Sequence, residues 1–567
     1  MYWKQSPTRP LMETKILKGG RIVFKPYDQS QFIRVPIQLE TMIPSGHLAR
    51  IVDRVVEGID MECLLAYYPG GGSPSYNPKM MIKSWIYGYC TKVYTSRPLA
   101  RALREQIPFI WLSGGGLPSY KTLSEFRGNR MQGMIDLIFK QILRMLVEED
   151  YIDLQDLYVD GSKWEANANR HKVVWAKNTA RYKLAVLERI ETLLAQVKVM
   201  QEEEDASYGH RDLAEIGEGK DITVVLSSER VSEHLLGLQR LILEQSAQDS
   251  AEKKRLKAME GLARQLDEEQ RKLSKYEDQE QVLGQRKAYS KTDEDATMMW
   301  MKDERLLPAY NMQHTTTGQY IVNYTVERNP SDSVALVPHM DKLDERFEGL
   351  LLPVERNLGG DAGYGSEENY SDLEGRHITA YVKYPLWYQE ESGQLAKKKF
   401  RRENWAYDAQ SDRYTCPNGQ KLVFVQQSAI KSINGYERIV RRYECQSCEG
   451  CPFAAECKKS EEKARSVQHS PKGEAYKAQA KERLATEKGL EMRSNRSIEV
   501  ESAFGNIKYN MQHRRFVLRE RHKVYIEFGL LAIGHNLRKV FCQDSGCWAE
   551  YYAQRAAKKI KKIKKRA

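Results

Sequence analysis

Residues 155–170 read QDLYVDGSKWEANANR. Leu157, Tyr158 and Val159 favour extended backbone, and the small and polar residues from Gly161 onward let the chain turn away. The segment therefore predicts a short strand that leaves the Asp160 carboxylate at its end, in a cleft. Upstream, residues 46–150 read as helical, with PGGGSPSYNP at 69–78 as a loop between helices. In 131–149, Ile135, Ile138, Phe139, Ile142, Met145 and Leu146 recur at a helical period, which predicts one amphipathic helix.

Downstream of Asp160 the character of the sequence changes. Residues 176–289 are rich in Glu, Lys, Gln, Leu and Arg. Leu184, Leu187, Ile190, Leu194 and Val197 are spaced by three and four, and Met259, Leu266 and Leu273 by seven. This predicts a helical hairpin or antiparallel coiled coil, serving as a solvated structural pair, a dimerising element or a DNA clamp. Strand character returns at 309–313 and 320–326 around HTTTGQ, which suits a β-hairpin. A helix is expected over 340–350, then a strand before Asp361 in VERNLGGDAGYGSEENY, and another in ITAYVKYP at 378–385. Beyond Pro471 there is no proline, so long helices are permitted through KERLATEKGLEM, residues 496–513 and VYIEFGLLAIGHNLRKVF.

With 567 residues, 41% hydrophobic, the chain can bury a large core. Its 89 Lys and Arg against 77 Asp and Glu give a net charge of +12, which favours polyanionic partners such as nucleic acid. No window has the roughly 18 apolar residues of a membrane span, and the start has no signal-like apolar stretch. A cytoplasmic, nucleoid-associated protein with no membrane partner is expected. The tail RAAKKIKKIKKRA carries eight basic residues and no acid, as either a solvated tail or a nonspecific phosphate contact.

Three acids stand in contexts suited to phosphodiester chemistry, in which two divalent ions about 4 Å apart activate the attacking oxygen and stabilise the leaving one. Magnesium takes oxygen ligands, so a few converging carboxylates suffice. Asp160 lies at a strand end. Asp361 follows a candidate strand, with Gly363 and Gly365 opening space around it. Glu501 lies in RSIEVESAFGNIKYNMQHRRF, seven residues before Lys508 and so on the same face of a regular helix. Glu499 is the alternative to Glu501, but a helix turns it about 200° away. Asp153 and Asp156 read as surface acids, and Asp295 and Asp332 as loop acids able to supplement the site.

VDGSKWEANANR, DAGYGSEENY and VESAFGNIK followed by RRF, with KTLSEFR in the N-terminal region, resemble the DDE transposases of bacterial insertion sequences, specifically the insertion sequence 1182 family within the insertion sequence four group. The resemblance spans most of the chain. It implies a ribonuclease-H-like fold, Mg²⁺ or Mn²⁺ on Asp160, Asp361 and Glu501, a phosphate contact from Lys508, and cut-and-paste transposition. Double-stranded DNA, as terminal inverted repeats and target, would be the partner, handled by a homo-oligomer. One departure stands out: the tyrosine and arginine that precede the glutamate in the wider group are not at their usual spacings. Ser497 sits four residues before Glu501, with Arg496 beside it; Arg496 is assigned a DNA role.

The cysteines Cys416, Cys445, Cys448, Cys451 and Cys457 are clustered in sequence. Four of them would make a structural zinc site, with reduced thiols that bind no metal as the alternative, and the spacing does not choose the four. For DNA, KKKFRRENWAY and MQHRRFVLRERHK mix basic and aromatic residues. Arg514 and Arg515 are candidate phosphate contacts, and Trp405 is a candidate stacking platform or else a core residue. The expected fold is α/β: a helical, DNA-binding N-terminal domain over 1–150 is followed by a ribonuclease-H-like mixed sheet in 151–175 and 290–385. A coiled-coil insertion occupies 176–289, a cysteine-bearing insertion 386–465, the C-terminal helices of the core 466–545, and the basic tail 546–567.

Overall fold

The computed structural model describes residues 14–17, 20–23, 38–68, 75–208, 226–244, 250–458, 460 and 463–545. The basic tail and part of the 69–78 loop lie outside them. Residues 1–45 and 46–567 are two separate units. The first holds the antiparallel strands β1 (Thr14–Leu17) and β2 (Gly20–Val23).

The second unit is organised around β3 (Asp156–Glu165), the strand that carries Asp160. Next in the chain come β4 (Val173–Trp175), β5 (Ala288–Ser290), β6 (Asp293–Trp300), β7 (Leu306–Thr317), β8 (Tyr320–Glu327), β9 (Arg356–Gly360) and β10 (Ile378–Val382). Their order is β10-β9-β3-β7-β6-β5-β4, with β8 also paired to β7. β3 runs antiparallel to β7 and parallel to β9, and β9 runs parallel to β10. The sheet is therefore mixed; Asp361 follows the end of β9, whereas Asp160 lies within the adjacent parallel strand β3, which pairs on with β7 as far as Glu165 rather than ending at Asp160 as its sequence predicts.

Helix Arg521–Asp544 packs on β8, on Pro78–Cys90 and on Met131–Glu148. It is buried along most of its length, because Leu530, Leu531, Ile533 and Leu537 all lose their access to water. Met131–Glu148 buries the expected stripe, including Ile135, Ile138, Phe139 and Ile142. One core thus joins the N-terminal helices to the sheet.

The segment expected as a helical pair contains three helices, Ala176–Tyr208, Ser228–Glu244 and Ser250–Leu283, with a core of their own. Met259, Leu266 and Leu273 point into it, whereas Leu184 is exposed. Val186, Ile190 and Leu193 form the buried stripe of the first helix instead. A second small sheet comprises β11 (Ala406–Asp408), β12 (Arg413–Thr415), β13 (Lys421–Lys431), β14 (Glu437–Cys445) and β15 (Ser466–His469), all antiparallel. No helix among the described residues is long and apolar enough to cross a membrane.

Candidate active site

Side chains alternate across a strand, so β3 presents two different faces. Its even positions lie against residues 492–516. Tyr158 packs on Met492 and Val500, Asp160 meets Arg496, Ser162 meets Lys508, and Trp164 packs near Phe504. The odd positions Leu157 and Val159 enter the main core.

Asp160 and Asp361 converge. Arg496 Nη2 donates to Asp160 Oδ1 at 3.0 Å and lies 3.8 Å from Asp361 Oδ2, so those two oxygens are within about 7 Å of each other. Asp361 follows β9 and caps a short 3-10 turn, Ala362–Tyr364, by accepting from the Ala362 amide at 2.8 Å. Tyr388, which the sequence did not single out, donates its hydroxyl to Asp361 Oδ1 at 3.0 Å.

The two carboxylates differ in electrostatics. Burial pushes Asp160 up to about 6; Asp332 and Asp361 add to the rise, while Arg496 and the Gly161 amide oppose it. For Asp361 burial also raises, but Arg496, the Ala362 amide, Tyr388 and Lys383 together hold it below the ordinary carboxylate range. One acid is thus poorly compensated and the other well compensated, although the same guanidinium faces both.

Asp332 accepts from Asn311 Nδ2 at 2.9 Å and from Gln313 Nε2 at 2.8 Å. It lies beneath Gly161, where a Cβ would land against Asp332 Oδ1 and Gln313 Nε2. Of the other acids considered, Asp156 is tied to Asn357 and Lys488, and Asp295 to Arg328 and the Arg521 amide. Both serve local structure.

Glu501 lies on the same helical segment as Arg496 and Lys508, but the segment is not one regular helix. Helix Glu487–Arg496 passes into a π-helical turn, Ser497–Glu501, then Ser502–Gly505 and a second π-helical turn, Asn506–Asn510. The wider turns break the 3.6-residue period, so the seven-residue spacing does not superpose Glu501 on Lys508. Lys508 turns inward, donating to Ser162 Oγ at 2.6 Å and lying 4.4 Å from the Trp164 ring centre. Glu501 is exposed, and no contact joins it to either aspartate. Glu499 faces elsewhere and accepts from the Gln319 amide in the β7–β8 turn. Among the described residues, no three His, Cys, Asp or Glu side chains are arranged to hold a metal ion.

Lys508 is brought down to about 8 by burial and then by the charge of Lys302, with Asp160 opposing. Arg515 donates to the carbonyls of Ala166 at 3.2 Å and Ala168 at 3.3 Å, just beyond β3, while Arg514 is exposed beside the Tyr509 ring. Trp405 is a correction to the stacking role: it is 7% exposed in the core of the small sheet, with its indole N–H donating to the Lys399 carbonyl. Lys397, Lys398, Lys399 and Arg401 beside it stay exposed, while Arg402 is half-buried against Glu474.

All five clustered cysteines are free, and Cys416, Cys445, Cys448 and Cys457 share one apolar corner. Burial and then the Cys448 thiol push Cys445 up to about 12, and its Sγ donates to the Ser447 carbonyl at 3.2 Å. The sulfurs are gathered but do not converge as ligands.

Residues 415–541 match the family described as Transposase DDE domain, and residues 37–129 match Transposase domain (DUF772). These matches support a transposase. The first includes Arg496, Glu501, Lys508, Arg514 and Arg515 but neither aspartate; the second covers the N-terminal helices. No curated protein matches the chain.

Proposed function

We propose that the chain is a DDE transposase of a bacterial insertion sequence, of the insertion sequence 1182 type. In this reading it cuts DNA at the element's terminal inverted repeats and joins the ends to target DNA, working as a homo-oligomer in the nucleoid. The observation that carries it is the meeting of Asp160, within β3, and Asp361, just past the end of the adjacent parallel strand β9, with the Glu501 segment laid across the same face of β3. The strand order β8-β7-β3-β9-β10, three antiparallel and then two parallel, supports a ribonuclease-H-like core.

The aspartates fit a divalent cation: the Arg496 guanidinium stands between them, where positive charge is needed. Asp160 and Asp361 would hold Mg²⁺ or Mn²⁺, with Glu501 completing the set once its segment turns inward. When bound, the metal supplies activation of the attacking oxygen and stabilisation of the leaving one. Lys508 and Arg514 would hold the phosphates of the bound strand, and Arg515 fixes the end of β3. Among the described residues the thiols are not arranged to hold zinc.

The test is cleavage and joining of a labelled duplex carrying the flanking terminal repeats, with Mg²⁺ or Mn²⁺, comparing the native chain with Asp361→Ala and Glu501→Gln. Cutting and joining by the native chain, with both variants binding but doing neither, is the expected result. Cutting without joining would make the protein a nuclease, and binding without cutting in every version would make it a DNA-binding protein only.

A further inference from the structure

β3 does not end at the carboxylates. It runs on from Asp160 to Glu165, and the chain reaches Asn167 two residues later. The segment after Glu501 follows it: Lys508 touches Ser162 and the Lys163 carbonyl, Arg515 touches Ala166 and Ala168, and Arg519 Nε donates to the Asn167 carbonyl at 2.8 Å. A row of cations therefore leads away from the site along one strand.

At its end lies an open groove of about 670 Å³, with walls formed by Asn167, residues 517–520 and Lys523, and the N-terminal helices Ser96–Glu105 and Tyr120–Glu125. Arg97, Lys121, Arg519 and Lys523 line it, against the acids Glu125 and Glu520. Glu520 is engaged by Lys523 at 2.7 Å. Among the described residues Arg97 and Lys121 have no carboxylate partner, and Arg97 stacks on Tyr120 at 5.0 Å. The five strand steps from Asp160 to Glu165, about 3.3 Å each, and the turn on to Asn167 span roughly 20 Å, or about six base pairs at 3.4 Å each.

We propose that this groove holds the backbone of the duplex arm of the DNA whose end lies at Asp160 and Asp361, gripping its phosphates about six base pairs from the cut. This rests on the DNA-processing reading above. The occupant is double-stranded DNA because the cations come from both walls, continue the row beginning at Lys508, and lie at a distance that only a stiff duplex bridges in fixed register.

The experiment measures fluorescence anisotropy of the full chain with labelled terminal-repeat duplexes of four and of twenty base pairs beyond the cut, across a salt series. It compares the native chain with Arg97→Ala/Lys121→Ala/Arg519→Ala, and with Arg97→Ala/Lys121→Ala, which leaves the Asn167 contact intact. Each lost phosphate contact lowers the slope of log affinity against log salt by about 0.9. A fall of about 2 to 3 for the triple variant and about 2 for the double, on the long duplex only, is expected. Slopes equal to the native value on the long duplex overturn the groove while leaving DNA binding in place, as does an equal loss on both lengths. A native chain that binds neither duplex overturns the groove and the DNA reading together.

Discussion

Glu527 offers a sharp test of how the segment after the candidate active site is held. It lies on helix Arg521–Asp544 with no exposure to water, yet it is a carboxylate. It accepts from His513 Nε2 at 2.8 Å, from the Val517 amide at 2.9 Å and from the Leu518 amide at 2.8 Å. Burial alone would raise its pKa, but His513, Arg127 and the Val517 amide hold it below the ordinary value. In Glu527→Ala all three donors lose their acceptor. At about 1–3 kcal/mol per buried unsatisfied group, the loss is about 3–9 kcal/mol. Hydrogen exchange at Val517 and Leu518, read by mass spectrometry at pH 7, should accelerate at least 100-fold, since about 1.4 kcal/mol is a factor of ten. Glu527→Gln, which keeps one oxygen acceptor, should fall between. Because the folded pKa is depressed, the stabilisation is complete above the unfolded carboxylate value and is lost as pH falls through the folded one; the gap between native chain and variant should close in acid. Exchange within threefold of native in Glu527→Ala at pH 7 would refute the anchoring role.

Gly365→Ala should destabilise by about 3 kcal/mol, measured by chemical denaturation, because a Cβ there runs into the Lys383 carbonyl and the Tyr384 backbone, which cannot yield like a side chain. Gly363, whose Cβ would meet Asp332 only at 3.4 Å, should accept alanine with little change, and equal losses at both positions would sink the argument. Duplex affinity of the native chain should fall as pH rises through about 8, where Lys508 loses its proton, whereas Lys508→Arg should stay flat from pH 7 to 9. Parallel pH profiles would show that Lys508 does not meet phosphate.

The strand at Asp160 is legible from its short apolar run, but its end is not: Gly161 to Glu165 stay paired with β7, so the small polar residues that read as a turn continue the strand instead. The strand before Asp361 was harder to read: Gly359 and Gly360 have poor strand propensity, yet β9 forms between β3 and β10, where Tyr158 lies so close over Gly359 that a Cβ would sit 2.8 Å from its ring. HTTTGQ reads as a turn, but the threonines are β-branched and extend β7 to Thr317. Only Gly318 and Gln319 turn, both at positive φ. Asp332 and Tyr388 reach the site through contacts remote in sequence, which no local pattern reports. Arg496 reads as a DNA residue in the sequence, whereas its guanidinium lies between the two aspartates.

The π-helical turn after Arg496 ties the geometry of the site to its electrostatics. A continuous α-helix from Glu487 would keep one face toward β3 through its whole length, and the charges on that face would be set by a single period. The π-helical turns at Ser497–Glu501 and Asn506–Asn510 re-aim the chain twice. Arg496 before the first can therefore neutralise two acids, Val500 and Phe504 fill the space over Tyr158 and Trp164, and Lys508 in the second still comes back to Ser162. Glu501, at the end of the first π-helical turn, is left facing solvent. A segment already wound out of the α period has a second hydrogen-bonding register within reach, and returning it to α would rotate Glu501 relative to Arg496 without unfolding the helices on either side. A cation held by Asp160 and Asp361 would compete with Arg496 for them, so metal binding and an inward turn of Glu501 would act on the same few backbone bonds.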